Sequence, residues 1–318
     1  MNDTALIDVA IINWNSGEAL FNCVNAILEN NGASSKVRSI LVVDNASCDG
    51  AVTINDIQDA RLKIFRNDRN LGFARGCNQA AEAASAPYIL FLNPDVTLEA
   101  GSLDAAVKAL ARDPSIGIVG IKLKADDGSV SRSCSRFPTA STFLGHSFGL
   151  DKIAPWLVRP HFMIEWDHLD MRQVDQVIGA FTLMRRQDFL RLGGFDERFF
   201  VYMEDVDLAL RAQRQGLKSL YVNTCSAAHS GCGSTRAIPE LRILYLLRSR
   251  LLYARKYFSP PAILISTIAL LGIEPFMRSL RALAYADLGQ ARKLLRVWRW
   301  LLANHPYEAE AQRGEVSL

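Results

Sequence analysis

Asp95, in FLNPDVTLEA, stands just past the apolar run YILFL and behind Pro94, whose ring fixes the approach of the chain. A carboxylate held there can bind Mg2+ or Mn2+, hard cations that take one or two carboxylates and fill the rest of their shell from substrate phosphates. The competing reading makes Asp95 the cap of a helix that follows. Farther along, MEDVDLALRAQRQG crowds three acids at a helix start. Glu204 and Asp205 are adjacent and point in different directions, so one caps while the other faces a cleft. There a carboxylate kept ionised by the helix dipole can take a proton from an attacking hydroxyl. Plain complementarity to the dipole also accounts for them. Asp207 and Arg211, four apart, read as a solvated ion pair without function. His229, in AAHSGCGST, is expected in a flexible Gly/Ser segment after a strand, as a metal ligand or a donor to a leaving phosphate.

Two further stretches offer polar groups to a ligand. VVDNASCDG presents Asp44 and Asn45, whose oxygens and amide can satisfy ribose hydroxyls or a base edge, or else make Asx-type turn bonds. NLGFARGCNQA places Asn70 before a helix that projects Arg75 and Asn78 from its first turns, an arrangement that suits phosphate or is a cap with an exposed Arg. Neither a G-x-G-x-x-G nor a Walker pattern is present there.

Apolar runs alternate with helical patterns through the first half of the chain: DVAIINW, a helix with stripe Leu20, Val24, Ile27 and Leu28, SILVVDN, LKIFRN, a helix over about 73–84, YILFLN, a helix over about 99–112, and IGIVGIKLK. This predicts an α/β fold, a Rossmann-like mostly parallel sheet covered on both faces, with ligands outside the carboxyl ends of the strands. Three strands deliver polar residues there: Asn13 and Asn15, Asp44 and Asn45, Asn93 and Asp95. Residues 125–172 read as loops beside the site, VDQVIGAFTLMRR and KSLYVN as strands, and the region after Pro239 as long basic helices. The expected division is an α/β domain over 1–235 and a helical extension over 236–318.

The 318 residues suffice for a full core. Six cysteines without a C-x-x-C pair argue against a zinc site or redox dithiol and fit a reducing compartment. MNDTALIDVAIINWN lacks a basic n-region, so the expected location is the cytoplasm. The formal net charge of +3 hides an asymmetry: residues 236–300 hold 12 Arg and Lys against 3 Asp and Glu.

VAIINWN, VVDNASCDG, NLGFARGCNQA, FLNPDV, VIGAFTLMRR, GGFDERFFVYMEDVDLALRAQRQG and AHSGCGST occur in the order seen in family 2 glycosyltransferases, and the chain over 7–255 resembles their rhamnosyltransferase-like branch. The resemblance implies a GT-A fold and inverting, metal-assisted transfer of a sugar from a nucleoside diphosphate sugar, with dTDP-L-rhamnose as donor and a saccharide or polyprenyl-linked acceptor of bacterial surface glycan. It implies that Asn13 and Trp14 line the base pocket and that Asp44 contacts base or ribose. Asp95 becomes the ligand of Mg2+ or Mn2+, Asp205 the general base, Gly179 the border of the acceptor site, and His229 a neighbour of the diphosphate. Asn93 stands where many relatives carry the first Asp of D-x-D, which leaves metal ligation thinner. Alternatives are a UDP-hexose donor or a non-catalytic nucleotide-sugar-binding scaffold. A nucleotidyltransferase would need a Gly-rich loop after the first strand, which IINWNSGEAL does not supply.

ELRILYLLRSRLLYARKYF and DLGQARKLLRVWRWLL are amphipathic and basic. Such helices lie in the interface of an anionic membrane, here the inner face of the plasma membrane, or else form a hairpin on the core or on a second copy of the chain. PPAILISTIALLGI between them is short of the ~18–20 residues that span a bilayer. No base-reading motif accompanies the charge, so nucleic acid is not an expected partner.

Overall fold

The computed structural model describes residues 5–29, 35–49, 53–231, 238–284 and 288–302. Cys232 and the expected domain boundary at 235 lie outside them. In chain order the elements are β1 (Ala5–Asn13), α1 (Glu18–Glu29), β2 (Ser35–Asp44), β3 (Leu62–Arg66), α2 (Phe73–Ala83), β4 (Tyr88–Leu92), β5 (Val96–Leu98), α3 (Ser102–Arg112), β6 (Ile116–Lys124), β7 (Cys134–Ser135), α4 (Ala140–Phe148), α5 (Leu150–Ile153), β8 (Arg172–Val174), β9 (Gln176–Val177), β10 (Phe181–Arg185), α6 (Arg186–Arg191), α7 (Glu204–Arg214) and β11 (Lys218–His229). Beyond these come α8 (Pro239–Tyr257), α9 (Pro260–Thr267), a π-helical turn (Ile268–Ile273), α10 (Glu274–Ala284) and α11 (Leu288–Leu302).

The chain divides into two units. The first comprises residues 1–137, 162–200 and 204–234; the second comprises 138–161, 201–203 and 235–318. All the strands belong to the first. Its main sheet runs β3-β2-β1-β4-β10-β6-β11-β5, with β8 also on β11. The pairs β3–β2, β2–β1, β1–β4 and β6–β11 are parallel, and β10 is inserted antiparallel between β4 and β6. Strand alternation explains why the sheet needs helices on both faces. Ile7, Val9 and Ile11 of β1 join Leu90 and Leu92 of β4 in a layer with Leu20, Val24 and Ile27 of α1 and Leu103, Ala106 and Leu110 of α3. Ala10, Ile12, Ile89 and Phe91 turn the other way, onto Ala74, Cys77 and Ala80 of α2 and Leu208 and Ala212 of α7.

Four sequence expectations are corrected. VDQVIGAFTLMRR is not one strand: it breaks between β9 and β10, where Ile178 N–H donates to Ser133 O and Gly179 N–H to the Asp205 carboxylate. The strand begun by KSLYVN continues to His229 through an irregularity between Val222 and Ser226, so His229 is a strand residue and not part of a loose segment. Asp95 is followed by β5 rather than by a helix, which removes the capping reading. Asp207 is fully buried and its partner Arg211 also donates to Leu192 O and Gly194 O, so this pair is a structural clamp and not a solvated one.

In the second unit, α8 is a core helix: Leu241, Leu244, Tyr245, Leu247, Leu251 and Tyr253 are buried. The 14-residue apolar run belongs to a continuous 25-residue helix, Pro260–Ala284, long and apolar enough to cross a membrane by length and composition. Residues 138–161, expected as loops beside the site, form α4 and α5 and group with these helices.

Candidate active site

At the carboxyl ends of β1, β2 and β3 a cavity of ≈ 220 Å³ opens, with Asn13, Asp44, Ser47, Asp49, Asn55 and Arg66 as its polar lining. Whole-ligand pockets run to ~300–1,000 Å³, so this one has room for a ring system rather than for an entire nucleotide sugar. Asn13 is fully buried; its Nδ2 donates to Asp44 Oδ1 at 2.8 Å and to Ser47 Oγ at 3.0 Å, while its Oδ1 has no partner among the described residues. Ser47 Oγ also donates to Asp44 Oδ1 and accepts from Asn15 N–H, and Asn15 Oδ1 accepts from Cys48 N–H. Asp44 thus makes a local turn contact and faces the cavity at once. Asn15 and Ala46 carry φ of 53° and 57°, left-handed backbone that folds this loop over the strand ends. Trp14 is half-buried and is not among the lining residues.

The start of α2 is built differently from the expectation. Asn70 Oδ1 accepts from Gly72 N–H, and Phe73 N–H donates to Phe200 O at 2.7 Å, so two of the helix's first N–H groups are taken by the protein. Asn78 bonds the Phe195 backbone both ways, and buried Asn45 bridges Gly72 O and Asn67. The amides of Asn45 and Asn78 and the Oδ1 of Asn70 therefore fasten loops, a structural role for each of them. Arg75 remains exposed, 3.9 Å from Glu197.

Asp95 and His229 are brought together by the β5–β11 ladder, in which His229 pairs with Val96. His229 Nε2 lies 3.5 Å from Asp95 Oδ1. Both oxygens of Asp95 are buried, and neither accepts a hydrogen bond from the described residues. A buried carboxylate without donors is costly unless a cation meets it, and this donor set, one carboxylate and one imidazole, fits Mg2+ or Mn2+ when phosphates supply further oxygens. No cluster of three or more His, Cys, Asp or Glu that could hold a metal occurs among the described residues.

Asp205 sits at the first turn of α7. Its Oδ2 accepts from Gln176 Nε2 at 2.8 Å and from Gly179 N–H at 2.9 Å, and its Oδ1 accepts from Val206 N–H at 2.8 Å. Burial pushes its carboxyl above the usual Asp value, against the pull of these donors. Glu204 is 5 % exposed with one oxygen unpartnered; burial and then the adjacent Asp205 push it well above the usual Glu range. Asp205 and Asp95 share one end of the sheet: Gly179 holds Asp205, Ala180 O accepts from Asn93 N–H at 3.0 Å, and Asn93 leads through Pro94 to Asp95. Asn93 itself is half-buried, its carbonyl accepting from Val96 N–H and from the Cys23 thiol. Sequence reasoning missed Gln176, a polar residue in an apolar strand run, and Asn55 and Arg66 in the cavity, which lie on elements it did not connect to the site.

A mostly parallel sheet with its polar residues at the strand ends, a ring-sized cavity over β1–β3 and two separated carboxylates at the β4–β10 end make up the GT-A fold. The model of glycosyl transferase family 2 matches residues 8–193, and the chain belongs to that family. It is a glycosyltransferase. A second model, the N-terminal domain of galactosyltransferase, matches residues 160–230. Among similar proteins, the N-acetylglucosaminyl-diphospho-decaprenol L-rhamnosyltransferase of Mycobacterium tuberculosis is 30 % identical over 222 residues, 65 % of this chain and 71 % of that protein. Rhamnosyltransferase WbbL of Escherichia coli K12 is 28 % identical over 244 residues, 73 % and 88 % of the two chains. In fold the chain is similar to a Pyrobaculum calidifontis mannosyltransferase solved with GDP-Man and Mn2+ (TM-score 0.53, 18 % identity, 98 % of this chain and 84 % of that one) and to GalNAc-T7 solved with UDP, GalNAc and Mn2+ (TM-score 0.60, 14 % identity, 97 % and 58 %).

Proposed function

We propose that the chain transfers L-rhamnose, with inversion, from dTDP-L-rhamnose to a saccharide or polyprenyl-linked acceptor of a bacterial surface polysaccharide. The observation that carries the reading is the disposition of Asp95 with His229 at one point and Asp205 with Gly179 at another, on the same end of the sheet. The similarity to two rhamnosyltransferases supports rhamnose as the sugar transferred, and the first of them, which acts on N-acetylglucosaminyl-diphospho-decaprenol, supports a lipid-linked acceptor.

The residues divide the work. Asn13 and Asp44 bind the nucleoside at the cavity. Asp95 and His229 would hold Mg2+ or Mn2+; when bound, the cation neutralises charge on the departing diphosphate. Asp205 takes the proton. Its Oδ2 is fixed by two donors, while Oδ1 accepts one N–H and keeps a lone pair for an acceptor hydroxyl. As the hydroxyl oxygen bonds to the anomeric carbon, the carbon–oxygen bond to the diphosphate breaks, the nucleoside diphosphate leaves with the electron pair, and the proton passes to Asp205. One displacement inverts the centre, so no carboxylate nucleophile is needed. Burial, by raising the pKa, makes Asp205 a stronger base than a solvated carboxylate. Working on a polyprenyl-linked acceptor, the protein sits in the cytoplasm, peripheral to the inner face of the plasma membrane.

Initial rates over a panel of nucleotide sugars, with Mn2+, Mg2+ or chelator, test this. Preferential turnover of dTDP-L-rhamnose that chelator abolishes is the expected result; preference for a UDP-hexose overturns the donor, and the absence of turnover with every donor overturns the reading.

A further inference from the structure

The helix Pro260–Ala284 is inside out. Its buried face carries Ser266, Ala269, Leu270, Glu274, Pro275 and Ala282, mostly small or polar, while Leu264, Ile268, Phe276, Leu280 and Leu283 on the other face are each at least half exposed. Those positions recur about every four residues, a step that drifts around a helix of ~3.6 residues per turn, and the wider π turn Ile268–Ile273 offsets part of the drift. The result is an apolar stripe about 28 Å long on the surface of the second unit. Globular proteins do not leave such a stripe facing water without an occupant.

Charge selects the occupant. Over its described residues the second unit holds 13 Lys and Arg against 3 Asp and Glu. Arg292, Lys293, Arg296 and Arg299 of α11 are exposed. Lys152 of α5 and Arg159 beyond it, both exposed, flank Trp156, which is 83 % exposed. Two copies of this surface would bring like charge against like charge, whereas an anionic bilayer offers the opposite sign, an apolar layer for the stripe and a headgroup zone for Trp. The helix does not cross the bilayer. Glu274, in its middle, is 2 % exposed and is held by Arg278 Nη2 at 2.7 Å and by Arg250 Nη1 at 3.3 Å, an ion cluster that ties the helix to α8.

We infer that this stripe is an in-plane docking surface for anionic phospholipid, with the helix Pro260–Ala284 lying along the interface and the cations of the same unit against the headgroups. The inference rests on the membrane location proposed above and names the surface that location requires, but its observations are those of the second unit alone.

The test is co-sedimentation of the full chain with vesicles of phosphatidylcholine, with and without phosphatidylglycerol. Binding should rise at least tenfold with the anionic lipid and fall with salt. The triple variant Ile268→Ser, Phe276→Ser, Leu280→Ser should lose at least tenfold of it while keeping its circular dichroism and its donor turnover in solution. Charge reversal on α11, Arg292→Glu with Arg296→Glu, should weaken binding to the anionic vesicles alone. Failure of the wild type to bind either vesicle, undiminished binding by the triple variant, or a dimer in light scattering that the triple variant dissolves overturns the inference. Turnover read in the same samples keeps the outcomes apart: vesicle binding without turnover sinks the proposed reaction and leaves this surface standing.

Discussion

Asp95 and Asp205 differ in what surrounds their oxygens, and that difference assigns their tasks. Asp205 is held by three donors and pushed up by burial; Asp95 has no donor among the described residues and a histidine beside it. A base whose pKa lies above the usual Asp value loses activity as pH falls through that raised value, so the acid limb of kcat/KM should lie above that of a solvated Asp. Glu204 makes the matching stability prediction. Its pKa is raised on folding, so the stability linked to it is present below the unfolded value near 4.5 and is lost as pH rises through the folded one. Chemical denaturation of the wild type should show stability falling as pH rises above about 4.5, with a shallower fall in Glu204→Gln. Both carboxylates were legible because acids at strand ends and helix starts are conspicuous. Asn45, Asn70 and Asn78 mark the limit of that signal: in sequence an amide at a strand end or helix start looks alike whether it meets a ligand or a backbone group.

Elements supply the rigidity behind those side chains. α2 begins where Gly72, at φ 85°, passes so close to Phe200 that an added Cβ would stand 2.5 Å from its carbonyl oxygen. Gly72→Ala should therefore destabilise by at least about 1–3 kcal/mol in urea unfolding. Arg211 joins α7 to the Leu192–Gly194 turn and neutralises fully buried Asp207; Arg211→Met should cost about 3–5 kcal/mol, because it strands a buried charge. The parallel strands could be read from their runs, since YILFL and ILVVD must be buried on both faces. The antiparallel insertion of β10 could not, as a doubly buried run carries no sign of its direction. Nor could the break at Gly179, which the distant Asp205 carboxylate stabilises.

At the scale of the whole molecule the charge split was legible and the partition of the chain was not, because residues 138–161 and 201–203 join the C-terminal helices only through contacts remote in sequence. Ligand linkage should report on the first unit. With Asp95 and His229 as the ligating pair among the described residues, the protein should gain little from Mn2+ alone; with nucleoside diphosphate at about 100 times its Kd the gain should be about 2.7 kcal/mol, or a few degrees in Tm, by differential scanning fluorimetry. The most direct measurement compares wild type with Asp205→Asn, reading donor binding by calorimetry and turnover by initial rate. A carboxylate that removes the hydroxyl proton predicts unchanged binding with kcat down about 10²–10⁴-fold. Turnover by Asp205→Asn at the wild-type rate would contradict it.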